Sequence, residues 1–232
     1  MNKDNSYSLW VDRVCKYIEE VGPIINAPSS AMQSAPVLDK SPDVIFLGHD
    51  AREPFDFNGA DKNRFFVGNP EFIPNRHKWV MWNRLDKAFR RNGLERFVTD
   101  GNFMLMNLFY FGADNISSFH KKIKGDVLKQ CINFTEELIQ DIIKPKLIIC
   151  FSVNHVFNCL IPKMDNIKPV SLSVPNKVKI GYWNGIPVIG IPHPSSRGLS
   201  NLYWREISNY IKELYNNNYL TISSFNISPT IK

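Results

Sequence analysis

The sequence predicts an α/β sandwich with a mainly parallel sheet, and three observations predict it. Val44-Ile45-Phe46-Leu47, Phe103-Met104-Leu105-Met106 and Leu147-Ile148-Ile149-Cys150-Phe151 are short, continuous apolar runs, as strands buried on both faces require. Between and around them lie segments whose apolar residues recur at helical spacing. Strand patterns that alternate with helical patterns imply parallel pairing through crossover helices.

Taken in order, Leu9, Trp10, Val14, Tyr17, Ile18 and Val21 predict a helix over 8–21 that stops at Gly22-Pro23. Residues 23–42 hold four prolines and several serines and read as an extended loop. The first apolar run follows Pro42 and is closed by Gly48. Residues 49–75 are polar, aromatic and marked by Gly and Pro, so a long loop is expected there. Trp79, Trp82, Leu85 and Phe89 predict a helix ending near Gly93, with a basic opposite face of Arg76, Lys78, Arg84, Lys87, Arg90 and Arg91. The second run ends at Asn107 and leads into an aromatic, polar loop. Leu128, Ile132, Leu138, Ile139 and Ile142 mark a helix that must end before Pro145. A short helix is expected over 154–160. Val178–Trp183 and Ile186–Ile191 flank Asn184-Gly185, a strong hairpin signal. Tyr203, Ile207, Tyr210, Ile211 and Leu214 mark the last long helix.

The 232 residues suit one domain spanning 1–232, and the composition (44% apolar, 22% charged) is that of a folded globular chain. No run approaches the ~18 apolar residues of a spanning helix, so no membrane association is expected. The polar start Met1-Asn2-Lys3-Asp4-Asn5 lacks an apolar signal core, and a cytoplasmic protein is expected. Cys15, Cys131, Cys150 and Cys159 are irregularly spaced with no Cys-x-x-Cys pair, which argues against a zinc ribbon, an iron–sulfur cluster or a disulfide scaffold. No metal and no cofactor are expected, and nothing points to an obligatory protein partner, so a monomer is expected. The net charge of +6 is uneven: residues 1–60 carry −4, residues 61–130 carry +6 and residues 131–232 carry +4. That distribution is compatible with DNA as a partner.

In parallel sheets, chemistry gathers beyond the carboxyl ends of the strands. The first strand delivers Gly48-His49-Asp50-Ala51-Arg52-Glu53, the second Asn107, the third Ser152-Val153-Asn154-His155, and the hairpin's second strand Pro192-His193-Pro194-Ser195-Ser196-Arg197. Each group alone has an ordinary structural explanation: an Asp in a turn, an Asn capping a loop, a histidine satisfied in the core. What singles them out is that four strand ends each supply a polar group to one rim.

These motifs, in this order, resemble the uracil-DNA glycosylase superfamily over about residues 40–215. Gly48-His49-Asp50-Ala51-Arg52-Glu53 is similar to that family's Gly-Gln-Asp-Pro-Tyr-His motif, Leu105-Met106-Asn107 to its Leu-Leu-Asn, and His193-Pro194-Ser195-Ser196-Arg197 to its His-Pro-Ser-Pro-Leu. The resemblance implies a three-layer αβα sandwich and a glycosylase that flips a base out of DNA. The chemistry of N-glycosidic cleavage suits the same residues. Positive charge grows on the sugar, where the Asp50 carboxylate would stabilise it and position water, as in glycoside hydrolysis. Negative charge grows on the departing base, where His193 would donate. Asn107 offers a donor and an acceptor to a pyrimidine edge, with His49 beside it. Phe65 or Phe66 would stack on the flipped base, and Ser152 and Ser195 would contact phosphates. Arg197 stands where the family often has an apolar wedge, and an arginine there can plug the stack and pair with phosphates. Pro28-Ser29-Ser30 is read as an ordinary linker rather than a backbone-pinching loop.

The chain departs from the family at one telling position. Arg52 replaces the tyrosine that excludes 5-substituted pyrimidines, and Ala51 precedes it in place of proline. A rigid wall has become a flexible side chain with five donors. A substrate with a bulky polar group at C5 is expected, such as a hydroxymethylated or glucosylated cytosine of phage DNA, in antiviral defence. The alternatives are a divergent uracil-DNA glycosylase of base-excision repair and a non-catalytic DNA-binding protein of the same fold. No lysine stands out as a Schiff-base nucleophile, so a monofunctional enzyme leaving an abasic site is expected.

Overall fold

Each of the three apolar runs forms a strand: β1 (Val44–Gly48), β2 (Phe103–Asn107) and β3 (Ile148–Phe151). The structure is a computed structural model, and it describes residues 2–29, 32–51, 56–173 and 177–216. β1 pairs in parallel with β2 on one side and β3 on the other. The expected hairpin is present as β5 (Lys179–Trp183) and β6 (Ile186–Ile191). Its turn needs positive φ at both central residues, and Asn184 (φ 49°) and Gly185 (φ 83°) supply it. β6 runs parallel to β3, and β5 is antiparallel to β6. A further strand, β4 (Asp165–Pro169), pairs antiparallel to β5 at the edge. The result is a mixed, mostly parallel six-stranded sheet in the order β2-β1-β3-β6-β5-β4.

Alternate residues of the parallel strands serve two cores. Ile45, Leu47, Met104, Met106, Ile148 and Cys150 face one side. Val44, Phe46, Phe103, Leu105, Ile149 and Phe151 face the other. Helix α1 (Lys3–Ile25) packs Trp10, Val14 and Ile18 into the first core. It runs one turn past the predicted stop, with Pro23 in its last turn and Asn26 in the left-handed conformation as its C-cap. The long loop expected over 49–75 contains two short helices, α2 (Lys62–Val67) and α3 (Phe72–Asn75). The Asp61 carboxylate caps α2 by accepting from the Arg64 N–H.

Helix α4 (Val80–Arg91) lays Trp82, Leu85 and Phe89 on the second core. After β2, α5 (Ile116–Lys122) and α6 (Asp126–Glu137) return the chain over the first core. A wider helical turn, Leu138–Ile143, ends before Pro145. The short helix expected over 154–160 is a wide turn, Val153–Phe157, followed by α7 (Asn158–Leu160). Helix α8 (Asn201–Asn216) closes the second core with Tyr203, Ile207 and Ile211. Helices on both faces of one sheet are compatible with a three-layer αβα sandwich.

Below β1, at the end away from its Gly48 terminus, the buried Asp43 carboxylate ties three elements together. It accepts from Lys146 (2.9 Å), from the Tyr215 hydroxyl (2.8 Å) and from Arg96 (2.7 Å). Burial pushes this carboxyl up, but the three donors outweigh it and hold it below its usual value.

Candidate active site

The chain leaves β1 for β2 on one side and later returns as β3 on the other, so the sheet has a topological switch point at β1, where α/β sheets bind ligands. A cleft of about 1080 Å³ opens there, at the carboxyl ends of β1, β2, β3 and β6. His49, Asp50, Asn107, Ser152, His193 and Ser195 all line it. The four strand ends therefore do converge.

Asp50 is the second residue after β1, and its side chain is only 3% exposed. Its Oδ1 lies 2.5 Å from His49 Nδ1. A carboxylate only accepts, so that nitrogen carries the proton and donates. Among the described residues, Asp50 Oδ2 has no hydrogen-bond partner, and neither does His49 Nε2. One carboxylate oxygen is thus fixed in direction by His49, and the other lies buried at the cleft wall. The His49 ring packs edge-on against Phe109 (4.8 Å) and Phe119 (4.6 Å), so it acts on Asp50 from behind. His120 and His155 lie 5.6 Å and 6.1 Å from it, centroid to centroid. Burial, helped by the nearby His49 and His120, pushes the His155 imidazole below its usual value. Among the described residues, no three His, Cys, Asp or Glu side chains are grouped to hold a metal ion.

His193 leaves β6 between two prolines. Its Nδ1 accepts the Ser195 backbone N–H at 3.2 Å, and the Ser195 hydroxyl lies 2.7 Å away. A nitrogen that accepts an N–H carries no proton, which places the imidazole proton on Nε2. The loop is anchored from outside. Arg84 of α4 donates to the carbonyls of Pro194 (3.3 Å) and Ser196 (2.9 Å). The basic face of α4 was legible in the sequence, but this anchoring role was not.

Asn107 pairs in register with Gly48, and its side chain occupies the space a Cβ on Gly48 would need. Such a Cβ would lie 2.7 Å from Asn107 Oδ1. Glycine in the first motif is therefore a steric demand of the base-reading candidate. Ser152 sits beyond β3 at φ 118°, a conformation that favours glycine. Its N–H donates to Ile191 O at 2.9 Å, and its hydroxyl accepts the His155 N–H at 3.2 Å. The strained backbone turns the chain from strand to helical turn at the cleft wall.

Phe65 and Phe66, the expected stacking rings, do not line the cleft. Because residues 62–67 form a helix, Arg64 faces the cleft while Phe65 turns into the first core, fully buried, 5.9 Å from Trp10. Phe66 is 37% exposed and packs edge-on against Tyr7. Among the described residues, Trp79 and Phe151 line the cleft, the latter buried and 6.0 Å from the His193 ring. Arg197 is exposed in the loop beyond the cleft lining, and Arg52 lies outside the described residues. The cleft also recruits Gln33, whose Oε1 accepts from Asn69 Nδ2 at 3.0 Å, and Lys177 at the rim. Nothing in the sequence singled out Gln33, Asn69 or Lys177, since they come from separate loops with no local motif.

Compared with known proteins, the chain matches no family model and no curated protein.

Proposed function

We propose that this chain is a monofunctional DNA glycosylase that hydrolyses the N-glycosidic bond of a flipped-out, 5-substituted pyrimidine and leaves an abasic site. The observation that carries the reading is the placement on one cleft of a carboxylate held by His49 through one oxygen, Asp50, and an imidazole whose Nδ1 accepts the Ser195 N–H, His193. These are the two groups that bond heterolysis needs. As the C1′–N bond breaks, its electron pair goes to the base, and the His193 N–H stabilises the charge on the base oxygen; such a donor is typically worth about 3–4 kcal/mol. Asp50 stabilises the cationic sugar and takes a proton from the attacking water, whose oxygen becomes the hydroxyl on C1′. His49 holds the Asp50 carboxylate in place. Asn107 reads the base edge, and Trp79 or Phe151 offers the stacking face.

The size of the cleft supports a substituted base. At ~1080 Å³ it is roomy enough to admit a substituted base together with its sugar. In sequence, Arg52 takes the place of the tyrosine that would wall off C5, and Gln33 and Asn69 add amide groups for a polar substituent. A role in defence against phage with modified DNA follows from that substrate class.

The test is a panel of duplexes carrying uracil, thymine, hydroxymethylcytosine or glucosylated hydroxymethylcytosine, scored for alkali-labile sites. Cleavage at a 5-substituted cytosine supports the reading. Efficient cleavage at uracil alone replaces it with a divergent uracil-DNA glycosylase. Borohydride trapping of a covalent protein–DNA adduct would implicate Lys177 and end the monofunctional assignment.

A further inference from the structure

We infer that a second groove, between α4 and α8, carries the phosphate backbone of the DNA that flanks the cleft. Arg84, Lys87 and Arg91 of α4 and Arg205 of α8 line a depression of about 500 Å³. No carboxylate lines it among the described residues. The positions 84, 87 and 91 share one face of their helix. Arg205 and Lys212, seven apart, share a face of α8, and Lys212 extends the row past the end of α4, where its Nζ lies over Gly93.

The basic side chains divide by partner. Arg76, in the turn before α4, is paired with Asp100, and Arg90 of α4 with Asp86. Lys87, Arg91 and Arg205 form no ion pair among the described residues, although Asp86 is one residue from Lys87. The helix thus pairs Arg90 and leaves Lys87 and Arg91 on the groove side available. From Arg84 to Arg91 the helix rises about 10 Å, so its cations can meet more than one phosphate of a strand.

The groove also joins the cleft. Ser195 and Ser196 line the cleft, Gly198 and Leu199 line the groove, and Arg84 grips the loop between them. A strand leaving the cleft over the 193–198 loop meets this row of cations directly. That continuity favours nucleic acid over an acidic protein or an anionic membrane. The inference rests on DNA being the substrate of the cleft.

The test is the salt dependence of binding to a short duplex, read by fluorescence anisotropy. Lys87→Ala/Arg91→Ala/Arg205→Ala is compared with Lys16→Ala/Lys129→Ala/Lys163→Ala, which removes the same charge from other elements. Arg84 is left intact because it positions the His193 loop. The groove variant is expected to flatten the plot of log K against log salt by about two to three units, roughly one per phosphate contact. The control variant should keep the wild-type slope. Equal slopes in groove variant and wild type, equal losses in both variants, or binding of polyaspartate or anionic vesicles without DNA binding would each overturn the inference. If the wild type releases a base while the groove variant keeps its slope, the groove assignment falls and the glycosylase reading stands. A flattened slope with no base released from any duplex does the reverse.

Discussion

Gly48→Ala tests whether the base-reading candidate and the first motif are one steric unit. The added Cβ would lie 2.7 Å from Asn107 Oδ1, closer than such atoms approach, so one of them must move. Its next contacts, at 3.7 Å and 3.8 Å, are ordinary. The strain is therefore directed at one buried amide on the cleft wall. Overpacking of this kind costs about 1–3 kcal/mol. Against that, alanine in place of glycine within a strand is worth roughly 0.5–1 kcal/mol in its favour. The net expectation is a destabilisation of about 0.5–2 kcal/mol, measured by urea unfolding. The Asn107→Ala background separates the terms, because it removes the clashing oxygen. There, Gly48→Ala should be neutral or stabilising, giving a coupling well above the ~0.3–0.5 kcal/mol of independent sites. Excision should fall similarly in both single variants and no further in the double. Equal destabilisation by Gly48→Ala in the two backgrounds would refute the reasoning.

Ser152→Gly should raise stability by up to about 1 kcal/mol by relieving the positive φ, yet weaken DNA binding through loss of the hydroxyl; a lower melting temperature would contradict it. Arg84→Ala should leave the fold intact and slow excision roughly tenfold by freeing the two loop carbonyls, about the loss of one charge-assisted bond, with Arg84→Lys in between; an unchanged single-turnover rate would remove its positioning role. Asp43→Asn should cost about 1–3 kcal/mol through weakened bonds to charged partners with no effect on chemistry at the far end of the sheet. Because folding lowers the Asp43 pKa, its contribution is fully present above the unfolded carboxylate value of ~3.9 and is lost as pH falls through the lower folded value. The acid limb of wild-type stability should thus be steeper than that of Asp43→Asn in unfolding measured across low pH.

Legibility followed the length and burial of each segment. The strands β1, β2, β3, β5 and β6 were visible because two buried faces, or one tight Asn-Gly turn, leave a strong apolar signature. β4 was not, since Asp165-Asn166-Ile167-Lys168-Pro169 is an exposed edge with charges and a proline, as edge strands often are. The helices α2 and α5 were passed over as loop because they are only six and seven residues long, too short to show a helical period. Their cap residues, Asp61 and Asn115, were nonetheless on view.

At the site, Asp50, Asn107, Ser152, His193 and Ser195 were legible because each follows a recognisable strand end. Phe65 and Phe66 misled because their helix was not foreseen, and a single residue step on a helix turns a side chain by ~100°. Arg84 on the His193 loop, Gln33 beside Asn69, and the histidines 120 and 155 behind His49 depend on long-range packing. No local pattern encodes such contacts.

The most direct measurement of the central claim is single-turnover release of free base from a duplex containing glucosylated hydroxymethylcytosine, detected by mass spectrometry, for wild type and Asp50→Asn. Wild type is expected to release the intact modified base and leave an abasic site, while Asp50→Asn still binds the duplex but releases base ~10²–10⁴-fold more slowly. Release by Asp50→Asn at the wild-type rate, or no base released by wild type from this or any other 5-substituted pyrimidine, would contradict it.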